Sequence, residues 1–253
     1  MRMSSRTSHA NLPGIDERLV APGSGYEIDD GKLVRVSPSD PPHAILHSKI
    51  SALLEAHVAD DFEVASDMLT RTSETSDRAP DASVFPRAPD PRTGGRQLEH
   101  LAFEVVSTET LSSAAKKAKD LCGRGVRRVF ALDVERERAF EWSHDLGTWS
   151  LLNASASIDD RSLAVPLPIA ALIRASKTDD AVARALLAKS NPVLVAANCT
   201  IMAEAILRLL EWRGIRLEPE HRERILAVRD LELLRRWFDR ALTCTSVSEL
   251  FAD

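Results

Sequence analysis

The chain has few cysteines, no excess of basic residues and no internal repeat. Its three cysteines, Cys122, Cys199 and Cys244, lie far apart and match no metal-ligand spacing, which argues against a disulfide framework and structural zinc. Cys122 and Cys199 stand among apolar neighbours and read as small core residues. A net charge of −5 excludes a protein that coats nucleic acid through a broadly basic surface, although a local grip remains open. No unbroken apolar run approaches the roughly 20 residues needed to cross a bilayer, so no membrane partner is expected. Residues 1–25 are rich in Ser, Pro and Gly and lack the apolar centre of a secretory signal. They read as a mobile arm on a cytoplasmic protein.

What is present is an ordinary globular composition, 44% apolar and 28% charged, long enough for one large domain or two small ones. Tyr26 to Val36 alternates around Asp30-Gly31, a hairpin signal. Ile45, Ile50, Leu53, Leu54 and Val58 recur at helical spacing and predict a helix from His43 to Ala59. Short extended segments follow near Phe62–Val64 and Met68–Thr70. Two apolar strands come next, around Asp81–Phe85 and Leu101–Val106, separated by a polar loop rich in Pro and Gly. Leu111 to Arg124 places Leu111, Ala114, Ala115, Ala118, Leu121 and Cys122 on one helical face, ended by Gly123 and Gly125. Arg128 to Val134 is a strand reached through that helix, which implies a parallel crossover. Two further strands, near Ala139–Trp142 and Thr148–Leu152, form an antiparallel pair.

After Pro166 the pattern becomes helical and no strand signal returns. Helices are expected over 169–175, 179–189 and 193–212, with others carrying Ile225 and Leu231–Leu242. Ser246-Val247-Ser248-Glu249 reads as a capping box. The expected organisation is a mixed α/β domain over residues 26–175 and an all-helical domain over residues 176–253.

The chemistry concentrates at two carboxylates. Asp81 opens one apolar strand and Glu104 stands inside another, where an ionised group is costly unless paired. Side by side, the strands would bring both carboxylates to one place, where a divalent cation could bind them. Lys117, and after it Lys119, flank the buried helix face and could reach over the strand ends; Lys116 points away. Arg96, Lys117 or Lys119 could instead merely pair with Glu104. Lys116, Lys117, Lys119, Arg124, Arg127 and Arg128 form a basic cluster that reads equally well as a solvated helix face. Glu27 is an accessory carboxylate candidate. His43 and His47, one helical turn apart, have no third ligand in view and read as surface or substrate contacts. Ser107 and Thr108 shape a turn; neither has a His or Asp partner that would make it a nucleophile.

At these residues the chain resembles the Uma-two family of putative restriction endonucleases, within the PD-(D/E)XK superfamily. The resemblance runs from Tyr26 to Leu152. It is carried by Tyr26-Glu27-Ile28 with Gly31, a histidine opening the first helix, Pro80-Asp81, Glu104-Val105-Val106-Ser107-Thr108, and Gly125-Val126 ahead of a strand. It implies a restriction-endonuclease-like mixed sheet core flanked by helices, to which the chain adds its all-helical C-terminal extension. It also implies DNA cleavage with Mg2+, or alternatively Mn2+. Asp81 and Glu104 match the family's carboxylates, and Glu27 and His47 match positions usually occupied, with His43 a poorer fit. The superfamily lysine belongs two residues after the glutamate, where this chain has Val106; Lys117 on the following helix best matches the family's substitute. Ser113 stands where an acid is usual, Leu121 where a tyrosine is usual, and Val129-Phe130 replaces a Tyr-Trp pair.

Two functions compete on this reading. One is a metal-dependent endonuclease acting on DNA. The other is a nuclease-like module that binds nucleic acid or protein without turnover, an alternative motivated by the acidic net charge and the absent accessory acid. The helical tail reads as either an interaction unit, including a homodimer contact, or simple packing.

Overall fold

A computed structural model of the chain describes residues 14–17, 25–35, 40–107 and 110–251. It divides into two compact units, Met1–Ala185 and Leu186–Asp253. Most of the N-terminal arm, and Thr108, lie outside the described residues. Within the arm, Ile15 is buried and its carbonyl accepts the Arg71 N–H at 2.9 Å.

The first unit opens with the hairpin β1 (Tyr26–Asp29) and β2 (Lys32–Arg35). Asp30 and Gly31 turn it with φ of 48° and 76°, the left-handed pair that suits the twist of a two-residue hairpin. Helix α1 (Pro41–His57) follows, its first turn made by two prolines and capped by Asp40, which accepts the His43 N–H at 3.0 Å. Then come β3 (Phe62–Ala65), β4 (Thr70–Arg71), β5 (Asp77–Arg78), β6 (Ala82–Pro86) and β7 (Leu101–Val106). Helix α2 (Leu111–Arg124) leads to β8 (Arg128–Asp133), β9 (Arg138–Ser143) and β10 (Thr148–Leu151). Two short strands, β11 (Ser157–Ile158) and β12 (Leu167–Pro168), precede α3 (Ile169–Ile173) and α4 (Thr178–Ala188). β12 corrects the expectation that strands end before Pro166: two residues pair with β11, too few to leave a periodic signal.

The main sheet has six strands in the order β10-β9-β8-β7-β6-β3, and a smaller one has the order β2-β1-β5-β4. Only β7 and β8 run parallel in the main sheet, joined through α2. All six β7 residues are buried, as a central strand covered on both faces requires. Leu101, Phe103 and Val105 join Leu46, Ile50, Leu53 and Leu54 of α1 in one core. Ala102 and Val106, on the opposite face, pack with Ala118, Leu121 and Ala114 of α2. The two-residue period of the strand therefore turns Glu104 toward the α2 side. The fold is mixed α/β, a mixed sheet flanked by helices.

The division between units falls inside α4, beyond the expected boundary near Ala175, because Ala181 and Val182 of α4 pack in the same core as α1 and β7. The second unit contains α5 (Pro192–Trp212), α6 (Pro219–Ala227), α7 (Leu231–Ala241) and α8 (Val247–Leu250). It has its own core of Cys199, Ala203, Ile206, Leu207, Leu210, Ile225, Leu234 and Trp237. Helix α5 is long and apolar enough to cross a membrane, with a mean hydropathy of 1.8 over its most apolar window. That differs from the expectation, which required an unbroken apolar run; Asn198, Thr200, Glu204 and Arg208 interrupt the sequence without lowering its average much. At α8 the expected capping box is rearranged: Ser246 makes no side-chain cap, and the Glu249 carboxylate accepts from the Thr245 N–H at 2.7 Å and its hydroxyl at 2.9 Å.

Candidate active site

The β6–β7 register pairs Ala82 with Phe103 and Val84 with Leu101, so one further step sets Asp81 opposite Glu104. Opposed residues of an antiparallel pair share a face. Their closeness is fixed by the backbone, since Asp81 Oδ2 accepts the Val105 N–H at 2.5 Å. Glu104 is 3% exposed, and Lys117 of α2 stands over it with Nζ 3.4 Å from Oε2. The same ammonium lies 3.2 Å from Oε1 of Glu27, itself buried on β1. Glu27 Oε1 also accepts the Ala79 N–H at 3.1 Å, two residues before Asp81.

These neighbours set the charge of Glu104. Burial pushes its carboxyl well above the usual range; Lys117 pulls it back, while Asp81 and Glu27 push it further up. Its Oε1 is buried without a hydrogen-bond partner. An orphaned buried oxygen is expensive, and a cation or a donor would satisfy it. The donor chemistry of Asp81 and Glu104 thus fits a divalent cation.

Histidines of α1 close the other side. His43 Nε2 is 3.5 Å from Asp81 Oδ1, and its ring stacks on His47 with centroids 6.1 Å apart. Asp81 raises the pKa of His43, against the opposing effect of burial. His47 lies 3.4 Å from Asp67, whose carboxylate raises its pKa in the same way. His47, Asp67 and Asp81 together offer ligand atoms all within 4.8 Å of one another, a grouping able to hold a metal ion.

Of the residues singled out in the sequence, Asp81, Glu104, Lys117 and Glu27 converge, and His43 reaches Asp81. Lys119 is exposed on α2 and pairs with neither carboxylate. Lys116 is half exposed and binds Asp29 at 2.5 Å. Arg96 serves Glu99 at 3.0 Å rather than Glu104. The arginines of the basic cluster are engaged elsewhere: Arg127 with Asp160, and Arg128 with Glu141 at 2.7 Å and Asp160 at 3.3 Å.

Two residues escaped the sequence reading. Asp67 follows β3 in a left-handed conformation, φ 52°, which Asp tolerates better than most residues. Its place between two extended segments was the available signal. The register pairing Ala65 with Ser83, continued two steps, sets it opposite Asp81, and its N–H donates to the Pro80 carbonyl at 3.1 Å. Arg78 is buried on β5 and holds Asp29 and Asp120 at 2.6 Å each, with Glu27 at 3.8 Å. It links β1 to α2 beneath the site; no local pattern marks it, because its partners come from distant segments.

No curated protein matches the chain. Four chains of solved structures match. One is a crystal structure of a putative nuclease from Anabaena variabilis, 17% identical, with a TM-score of 0.49, covering 58% of this chain and 89% of that one. A family model, Uma2, described as putative restriction endonuclease, matches residues 15–172, more than half of the chain and every residue of the carboxylate–lysine cluster. The chain belongs to the Uma2 family of putative restriction endonucleases.

Proposed function

We propose that the first unit is a divalent-metal-dependent endonuclease that hydrolyses phosphodiester bonds of DNA, with Asp81, Glu104 and Lys117 as its working groups. The observation that carries this reading is the meeting of two carboxylates, opposed across β6 and β7, with one ammonium 3.4 Å from the buried member. Asp81 and Glu104 would hold the metal, Mg2+ or Mn2+, which supplies polarisation of the phosphate and acidification of a bound water.

The remaining work falls to side chains. The Val105 N–H holds one Asp81 oxygen and leaves the other toward His43 and solvent. Lys117 opposes the burial that favours the neutral form of Glu104, and places positive charge where the phosphate oxygens gain negative charge as water attacks phosphorus and a P–O ester bond breaks. Glu27 is a positioning residue: through its 3.2 Å contact it aims the Lys117 ammonium at the carboxylate pair. His43, at the mouth, is suited to donate to a substrate phosphate oxygen. His47, turned to Asp67, does not take that role. Lys119 is not assigned a catalytic part, since it stays on the exposed face of α2.

The test is nicking of supercoiled plasmid DNA by the full chain in Mg2+ or Mn2+, with and without EDTA. The wild type should cut only with metal, and Asp81→Asn and Glu104→Gln should each lose about a hundredfold or more in rate while keeping their circular dichroism. Equal cutting by folded variants would overturn the assignment. Metal-independent DNA binding with no cutting would favour a nuclease-like binding module instead.

A further inference from the structure

Beside the Glu104 cluster, three elements bring together a second set of donors. The His47 imidazole comes from α1, Asp67 from the connection after β3, and Asp81 from the residue before β6, with ligand atoms all within 4.8 Å of one another. Each is anchored through backbone. His47 sits within a helical turn, Asp67 is tied to Pro80 by its N–H, and Asp81 accepts from Val105. Two buried atoms border the group: Nε2 of His47, whose nearby carboxylate oxygen on Asp67 is 3.4 Å away, and Oε1 of Glu104, without a hydrogen-bond partner, across the strand pair from Asp81. Glu104 is 3% exposed, so water does not readily satisfy it. The neutral imidazole of His47 and the carboxylate oxygens gathered with it have lone pairs that a cation can accept.

We propose that His47, Asp67 and Asp81 form a second cation position, sharing Asp81 with the Asp81–Glu104 pair, and that it takes a transition-metal dication such as Mn2+ or Co2+ in preference to Mg2+. Mg2+ prefers an all-oxygen octahedron and gives up its waters reluctantly, whereas an imidazole donor favours later first-row ions. Two carboxylates offset the charge of one dication. Ligands about 2.0–2.2 Å from a common ion stand roughly 3–4 Å apart, so the group needs only a modest contraction. The Asp67 side chain, 69% exposed, has room to make it. The proposal deepens the nuclease reading by placing a cation of different preference next to the first. Its readout does not depend on cleavage.

Pulsed EPR of Mn2+ bound to the full chain should show nitrogen coupling from a coordinated imidazole. His47→Gln should abolish that coupling and His43→Gln should keep it. Co2+ titration followed by visible absorption should find binding weakened about tenfold or more in His47→Gln and Asp67→Asn, and retained in Glu104→Gln. Absence of nitrogen coupling in the wild type, its persistence in folded His47→Gln, or displacement of Co2+ by equimolar Mg2+ would each overturn the proposal. Coupling at His47 without plasmid cutting would sink the nuclease reading and leave this one standing. Cutting lost in Glu104→Gln without any nitrogen coupling would do the reverse.

Discussion

Lys117 lies between two carboxylates that are each about 5% exposed, Glu27 and Glu104, so its charge serves stability as well as chemistry. Lys117→Met should leave both acids buried and undercompensated, at a cost of about 3–5 kcal/mol in urea unfolding. The pH dependence has a definite sign. A carboxyl whose folded pKa lies above its unfolded value makes the native state bind more protons, so stability is lost as pH climbs through the window above about 4.3. Glu104 is already raised, and losing Lys117 raises it further. The deficit of the variant should therefore be small near pH 4 and grow toward neutrality; a constant deficit across that range would refute this account. At this scale the sequence was informative where an ionisable residue broke an apolar pattern, as at Asp81 and Glu104. It was silent at Asp67 and Arg78, whose importance arises only from segments folded against them.

Among the elements, α2 was readable from its apolar face and from Gly125, which closes it at φ 123°; the Thr110 side chain that caps its start was not singled out. The β1–β2 turn was equally plain. The extended segment expected near Met68–Thr70 meets β4 at Thr70, but the two-residue strands β5, β11 and β12 were not legible as strands, since pairing rather than pattern creates them. Tertiary ion pairs hold such stretches in place, and Asp160 is the clearest case. Burial would raise its carboxyl, but the Ser162 N–H at 2.9 Å, the Ser162 hydroxyl at 2.7 Å and the Arg127 guanidinium outweigh that and hold it below the usual range. A depressed folded pKa gives stability present above the unfolded value, about 3.9, and lost as pH falls through the folded one. Asp160→Asn should thus lower the thermal midpoint at pH 7, and the gap from wild type should close toward pH 2. A gap that stays open in acid would mean the side chain acts by packing rather than charge.

For the molecule as a whole, each unit has its own apolar core, so each should unfold on its own account. Trp237, 5% exposed, anchors the second core against Phe251, ring centroids 4.8 Å apart. Trp237→Ala should cost about 3–5 kcal/mol. Calorimetry of the full chain should show one transition moved and the other unchanged; a shift of both would show that the units unfold together. The change from mixed strands to helices was visible in composition and periodicity, but the dividing point was not. It depends on Ala181 and Val182 of α4 sharing a core with α1, a contact no local window contains.

The acidic pair owes its meeting to strand parity, and this leaves an engineering consequence. Deleting one residue inside β6 would flip Asp81 to the opposite side of the sheet and separate it from Glu104. The Pro91–Gly94 loop between those strands is exposed, so a peptide tag or fluorophore grafted there should leave the pairing untouched. Labelling chemistry can thus be brought within one loop of the cluster without altering any group in it.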